Sequence, residues 1–159
     1  MFRAGRFLLT LPLLALATLG GAGCGGGGKD QVTAAELVAR ADAICREERG
    51  TFDRVQAHPP PNASIAANQT GVLLKATERA NSALRDLNPP DQLKAQYDRY
   101  LEARDRAVDQ LKRGQDAAED RDSAEYGAAQ AAVAREAPQR RKLAQALGLK
   151  ACSSSRGSA

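Results

Sequence analysis

Residues 33–57 read TAAELVARADAICREERGTFDRVQA, and this stretch decides the fold. Thr33-x-x-Glu36 is a capping-box pattern, in which a hydroxyl and a carboxylate satisfy amides that have no partner in a first helical turn. Leu37, Ala41, Ile44, Phe52 and Val55 then recur at helical spacing, with Val38 and Cys45 beside them. The spacing predicts a first helix over 33–57, with Gly50 a soft spot costing about 1 kcal/mol relative to alanine. Downstream, His58-Pro59-Pro60-Pro61-Asn62 must stop it. Each proline lacks an N–H and restricts the residue before it, so the segment reads as a stiff, extended connector.

The same reading gives three more helices. The second spans 63–87, with a stripe of Ile65, Val72, Leu73, Ala76, Ala80, Ala83, Leu84 and Leu87, and it ends at Asn88-Pro89-Pro90. The third opens at Pro90 or Asp91, because proline is tolerated in a first turn and aspartate suits the positive helix end. It carries Leu93, Tyr97, Tyr100, Leu101, Ala107, Val108 and Leu111 and fades around Gly114. Residues 115–121 are polar and acidic and read as a loop. Asp122-x-x-Glu125 starts the fourth helix, with Tyr126, Ala129, Val133, Leu143 and Leu147 on one side. Pro138 should bend it near 134–138 or break it there. No run alternates with period two and no hairpin signal is present. The expectation is an all-α, up-down-up-down four-helix bundle with a kinked or split last helix. Its core would be thin: aromatics are 4% of the 159 residues, and there is no Trp.

Residues 1–24 are not read as fold. Arg3 and Arg6 precede an uncharged apolar run over residues 7–19. That run is shorter than the roughly 20 apolar residues a spanning helix needs, and it fits the apolar region of a secretory signal peptide. Leu19-Gly20-Gly21-Ala22-Gly23-Cys24 then sets small residues directly before a cysteine. This resembles the lipobox of bacterial lipoproteins, although Gly21 stands where that family has Leu or another aliphatic. The resemblance implies cleavage before Cys24 and a diacylglycerol on its thiol. The alternative is ordinary secretion, with cleavage after Ala17 and Cys24 left free or in a disulfide. The lipoprotein reading makes residues 1–23 a signal peptide and 24–32 a lipidated cysteine with a Gly-rich tether. Residues 33–152 become the four-helix domain and 153–159 a disordered tail. It places the protein at the cell membrane, on the extracytoplasmic face, held by acyl chains; two chains anchor stably where one does not.

The whole chain carries 23 Lys+Arg against 19 Asp+Glu. Removing residues 1–23 also removes Arg3 and Arg6, so what remains is nearly balanced and gives no electrostatic footprint for nucleic acid. With Cys24 lipidated, two of the 3 cysteines are left, Cys45 and Cys152. An even pair in an exported domain reads as a disulfide. Cys45 lies about 18 Å along the first helix at about 1.5 Å per residue. Gly148 offers a left-handed cap after Leu147, with Leu149 placed for the accompanying apolar contact. From there residues 148–152 reach about 17 Å when extended, enough to climb to Cys45 if first and last helices are antiparallel neighbours. The alternative is two buried thiols acting as small hydrophobes. Ala41-Asp-Ala-Ile-Cys45, Gly148-Leu-Lys-Ala-Cys152, Leu87-Asn-Pro-Pro90 and Tyr97-x-x-Tyr100-Leu101 together resemble small helical lipoproteins and secreted proteins of actinobacteria, a group that brings no activity with it.

Chemistry is sparse. His58, the single histidine, sits before three prolines and reads as an exposed loop residue. No Glu-x-x-His pair for a di-iron bundle is present, and no cofactor is expected. Asp116, Glu119, Asp120 and Asp122 lack the alternation and central Gly of a calcium loop and read as solvated. Arg135, Arg140, Arg141 and Lys142 suit a helix C-terminus, with a weak attraction to anionic headgroups as the other reading. One constellation carries a hypothesis. Glu48 and Arg104 both lie about 21–23 Å from their helix starts, on or beside apolar stripes. They would pair across the core, or line a polar pocket with Tyr97 or Tyr100; otherwise both snorkel at the stripe edges. No catalytic residue is assigned. The expected function is a non-enzymatic domain binding a protein, glycan or other envelope component. The alternative is a small-molecule sensor or carrier with a polar pocket between helices.

Overall fold

A computed structural model of the chain describes residues 30–154. The expected signal peptide, Cys24 and residues 155–159 lie outside the described residues. The elements are α1 (Ala34–Gln56), α2 (Ala63–Arg85), α3 (Asp91–Glu119), α4 (Ser123–Ala146) and a short α5 (Lys150–Ser153), with no strand among the described residues.

Local chemistry sets the ends. The Thr33 hydroxyl accepts from the Glu36 amide at 3.2 Å, and the Thr33 amide donates to Glu36 Oε2 at 2.9 Å, completing the capping box. The Thr33 hydroxyl also donates to Glu36 Oε2 at 2.8 Å, and the bonds from the Thr33 amide and hydroxyl hold that carboxyl below its usual range. Asn62 caps α2 through Ile65, and Asp122 caps α4 through Ala124 and Glu125. At the end of α4, Gly148 takes φ +75°, and the amides of Gly148 and Leu149 donate to Gln145 and Ala144. This is a Schellman motif, and it turns Leu149 fully into the core.

Four long helices pack through consecutive contacts, α1 on α2, α2 on α3 and α3 on α4. The Val32 amide donates to Asn88 O at 2.9 Å, which sets the start of α1 beside the α2–α3 turn. Leu37, Ala41, Ala144, Leu147 and Leu149 share one cluster with Leu84, Tyr97 and Tyr100, so the end of α4 also meets the start of α1. The core thins along the bundle, from these leucines and tyrosines through Leu73, Leu74, Val108 and Leu111 to a patch of Ala66, Ala67 and Ala118.

Several expectations need correction. α3 does not fade at Gly114 but continues to Glu119. Ala117 and Ala118 are buried there while Asp116 and Glu119 face out, so residues 115–119 are a helix face and the connection shrinks to 120–122. α4 is not split: it runs unbroken through Pro138. Ala134 and Pro138 are both exposed, so the carbonyl that loses its partner lies on the solvent side. Ile65 and Val72, assigned to the buried stripe of the second helix, are exposed. Gln31 and Val32 are packed or hydrogen-bonded parts of the fold and not tether. At the other end Ser153 is helical, and residues 150–153 form a turn of helix in place of an extended climb.

The antiparallel neighbour relation of α1 and α4 also holds only at one end. Past their meeting point the backbones of α1 and α4 make no contact comparable to the other pairs, and α5 packs on both. The opening left between them is where the site lies.

Candidate functional site

Cys45 of α1 and Cys152 of α5 form a disulfide, with Cα atoms 5.1 Å apart across 107 residues of sequence. α5 is held by more than sulfur. Asp42, buried on α1, accepts from the Ala151 amide at 2.8 Å, and the Arg49 guanidinium donates to the Ala151 carbonyl.

Directly beneath the disulfide sits Arg104 of α3, 5% exposed. Its Nη2 donates to both carboxylate oxygens of Glu48, at 2.8 and 2.7 Å. Its Nε donates to Asn81 Oδ1 at 2.5 Å and its Nη1 to the Tyr100 hydroxyl at 3.2 Å. Nη1 also lies 3.9 Å from Cys45 Sγ, and the guanidinium carbon is 5.8 Å from the Tyr100 ring centroid. Each nitrogen of this cation therefore has an acceptor, which is the condition for burying a charge without a large penalty. Burial opposes its charge, but Glu48 and then Tyr100 outweigh that and hold Arg104 above its usual value. Burial likewise pushes the Tyr100 hydroxyl up, against the pull of Arg104.

Glu48, Arg104 and Tyr100 thus meet across the core, as one of the sequence readings has it. Tyr97 does not join them. It is buried one turn away, donates to Leu84 O at 2.9 Å, and only its ring, 6.3 Å from that of Tyr100, touches the group. Asn81 was not legible as a member, although its place between Thr77 and Leu84 on the buried face of α2 is a helical-spacing signal in hindsight. Asn81 also donates to Asp105, which pairs with Arg85, so the network runs out to the surface.

Beside this network is a pocket of about 160 Å³, walled by α1, α3 and α4 with Thr77 of α2, and roofed by α5. One half is apolar, made by Phe52, Ala107, Leu111, Val133 and Ala137. The other half is cationic: Arg49, Arg104, Arg140 and Arg141 line it against one carboxylate, Glu48. Comparison with family models, curated proteins and solved structures finds no match to this chain.

The basic cluster at the end of α4 is split by the fold. Arg135 and Lys142 are exposed, while Arg140 and Arg141 turn partly inward. Arg140 Nη1 is buried and has no hydrogen-bond partner, and the same is true of Glu136 Oε2 one turn earlier. An unmet guanidinium N–H in such a place costs about 1–3 kcal/mol. Burial and the neighbouring Arg104 charge hold Arg140 below its usual value. The crevice at the α2–α3 turn is a contrast: there Arg85 and Lys94 face Asp86, Asp98, Glu102 and Asp105, so its cations meet an excess of acid. Among the described residues no group of three His, Cys, Asp or Glu side chains is arranged to hold a metal, and no helix is long and apolar enough to cross a membrane.

Proposed function

We propose that this chain is a non-enzymatic, lipid-anchored helical domain on the extracytoplasmic face of a cell membrane, and that it holds a small molecule in the pocket beneath α5. The observation that carries the reading is the pocket itself, a concavity with convergent polar groups on one side and apolar walls on the other, the usual composition of a ligand site. Its polar groups are arginines, a disulfide, the Thr77 and Ser154 hydroxyls, each donating to a backbone carbonyl, and a glutamate already committed to an ion pair. Such groups bind and orient; they are poor proton exchangers. The anchor is supported by the run of small residues before Cys24.

Docking of an envelope protein or glycan is the second reading. It is favoured by Ile65 and Val72, two helical turns apart on α2, at 38% and 47% exposure. Two side chains are a smaller patch than those that mark interfaces, so the pocket ranks first.

Ala137→Leu separates the two, because it fills the pocket from α4. A panel of small polar metabolites is screened by thermal shift against the protein and this variant. The pocket reading expects compounds that stabilise the parent and not the variant. Equal shifts in both, or none in either, would remove it.

A further inference from the structure

Resting on that reading of the pocket, we infer that its ligand is a small organic carboxylate with a compact apolar body, held head-first by Arg140 with Arg141 and Arg49 around it. Four arginines line the pocket and only Arg104 has a carboxylate in contact. Arg49 spends one donor on the Ala151 carbonyl. Arg140 presents a buried donor with no acceptor at all. The lining therefore holds more positive charge than Glu48 can neutralise, and one of its guanidinium groups, Arg140, has no protein acceptor for its shielded Nη1. A carboxylate supplies the missing negative charge, with two acceptor oxygens in the fork geometry that guanidinium groups prefer.

The rest of the pocket sets the body of the ligand. Phe52, Leu111 and Val133 offer apolar contact but no donors or acceptors on their side chains. A volume of about 160 Å³ is close to that of cavities that take a single benzene-sized molecule. A fully hydrated inorganic anion would leave this half empty. A long acyl chain would not fit. Glu136 is the internal competitor for Arg140, since its Oε2 is also buried and unmet one turn away.

The test is titration of the purified protein at low salt with benzoate, with benzyl alcohol as the uncharged analogue and inorganic phosphate as the anion without an apolar body. Benzoate should bind with a dissociation constant of about 1 mM or tighter, in the range small ligands reach. Benzyl alcohol and phosphate should each bind at least about tenfold more weakly, as should benzoate to Arg140→Gln, since a charge-assisted hydrogen bond is lost. Arg141→Gln is a second variant in case Arg140→Gln does not fold, and it should weaken benzoate in the same direction. Glu136→Gln should leave benzoate binding intact or strengthen it. Failure of benzoate to bind, or full binding by both arginine variants, overturns the inference. Equal binding of benzoate and benzyl alcohol overturns it too, but leaves the small-molecule pocket standing. Phosphate binding as tightly as benzoate overturns the apolar half and with it the ligand class.

Discussion

Arg104 and Glu48, 56 residues apart in sequence, bind through one guanidinium nitrogen to both carboxylate oxygens, with side chains 6% and 14% exposed. A pair this buried is expected to respond asymmetrically. Glu48→Ala leaves the arginine charge uncompensated and should cost about 3–5 kcal/mol. Arg104→Met with Glu48→Leu removes both charges and should cost far less, because the desolvation penalty goes with them. Urea denaturation of the two variants checks this. Equal losses would mean that the pair is not desolvated in solution.

The disulfide closes a long loop, and in the chain-entropy model a loop of about 100 residues is worth up to about 4.7 kcal/mol. Cys45→Ala with Cys152→Ala should lower stability by about 2–5 kcal/mol in the same denaturation assay. Alkylation of the unreduced protein followed by intact-mass measurement should add no mass at either position. Two added groups would show the bond absent.

Arg121, between α3 and α4, stands at φ 61°, and the Asp122 amide donates to Ala117 O at 2.8 Å, the geometry of a Schellman turn with a side chain where glycine is preferred. Left-handed backbone costs a non-glycine residue about 1–2 kcal/mol. Arg121→Gly should therefore raise stability by about 1 kcal/mol. A loss would mean that the arginine side chain contributes more than its backbone costs.

Cys24→Ala addresses the anchor. Metabolic labelling with a radioactive fatty acid should mark the parent and not the variant, and the variant should leave the membrane fraction. Unchanged membrane retention would end the lipoprotein reading.

What was legible in the sequence was whatever is written in short-range chemistry. The Thr33 box, the Asp122 cap, the prolines after the first two helices and the Gly148 turn all act within a few residues, and all are found where the residues put them. The disulfide was legible because cysteine is rare enough here for the pairing to be counted. What was not legible depends on neighbours far along the chain. The end of α3 reads as a loop until Ala117 and Ala118 find partners, because alanine has too little surface to stand out as a stripe. Arg140 reads as one of four solvated cations; its inward turn is set by the opening between α1 and α4, which no local pattern encodes. The same holds for α5, four residues long and fixed by Asp42, Arg49 and Cys45 from another helix.

The bond between Cys45 and Cys152 has a mechanical consequence. Tension applied between residues 30 and 154 would pass from the first half of α1 straight through sulfur to α5. α2, α3 and α4 hang on the slack side of that shortcut and carry no load along the covalent path. A pull from either end can unwind the short covalent leads, but the walls that α3 and α4 give the arginine-lined hollow are spared the strain.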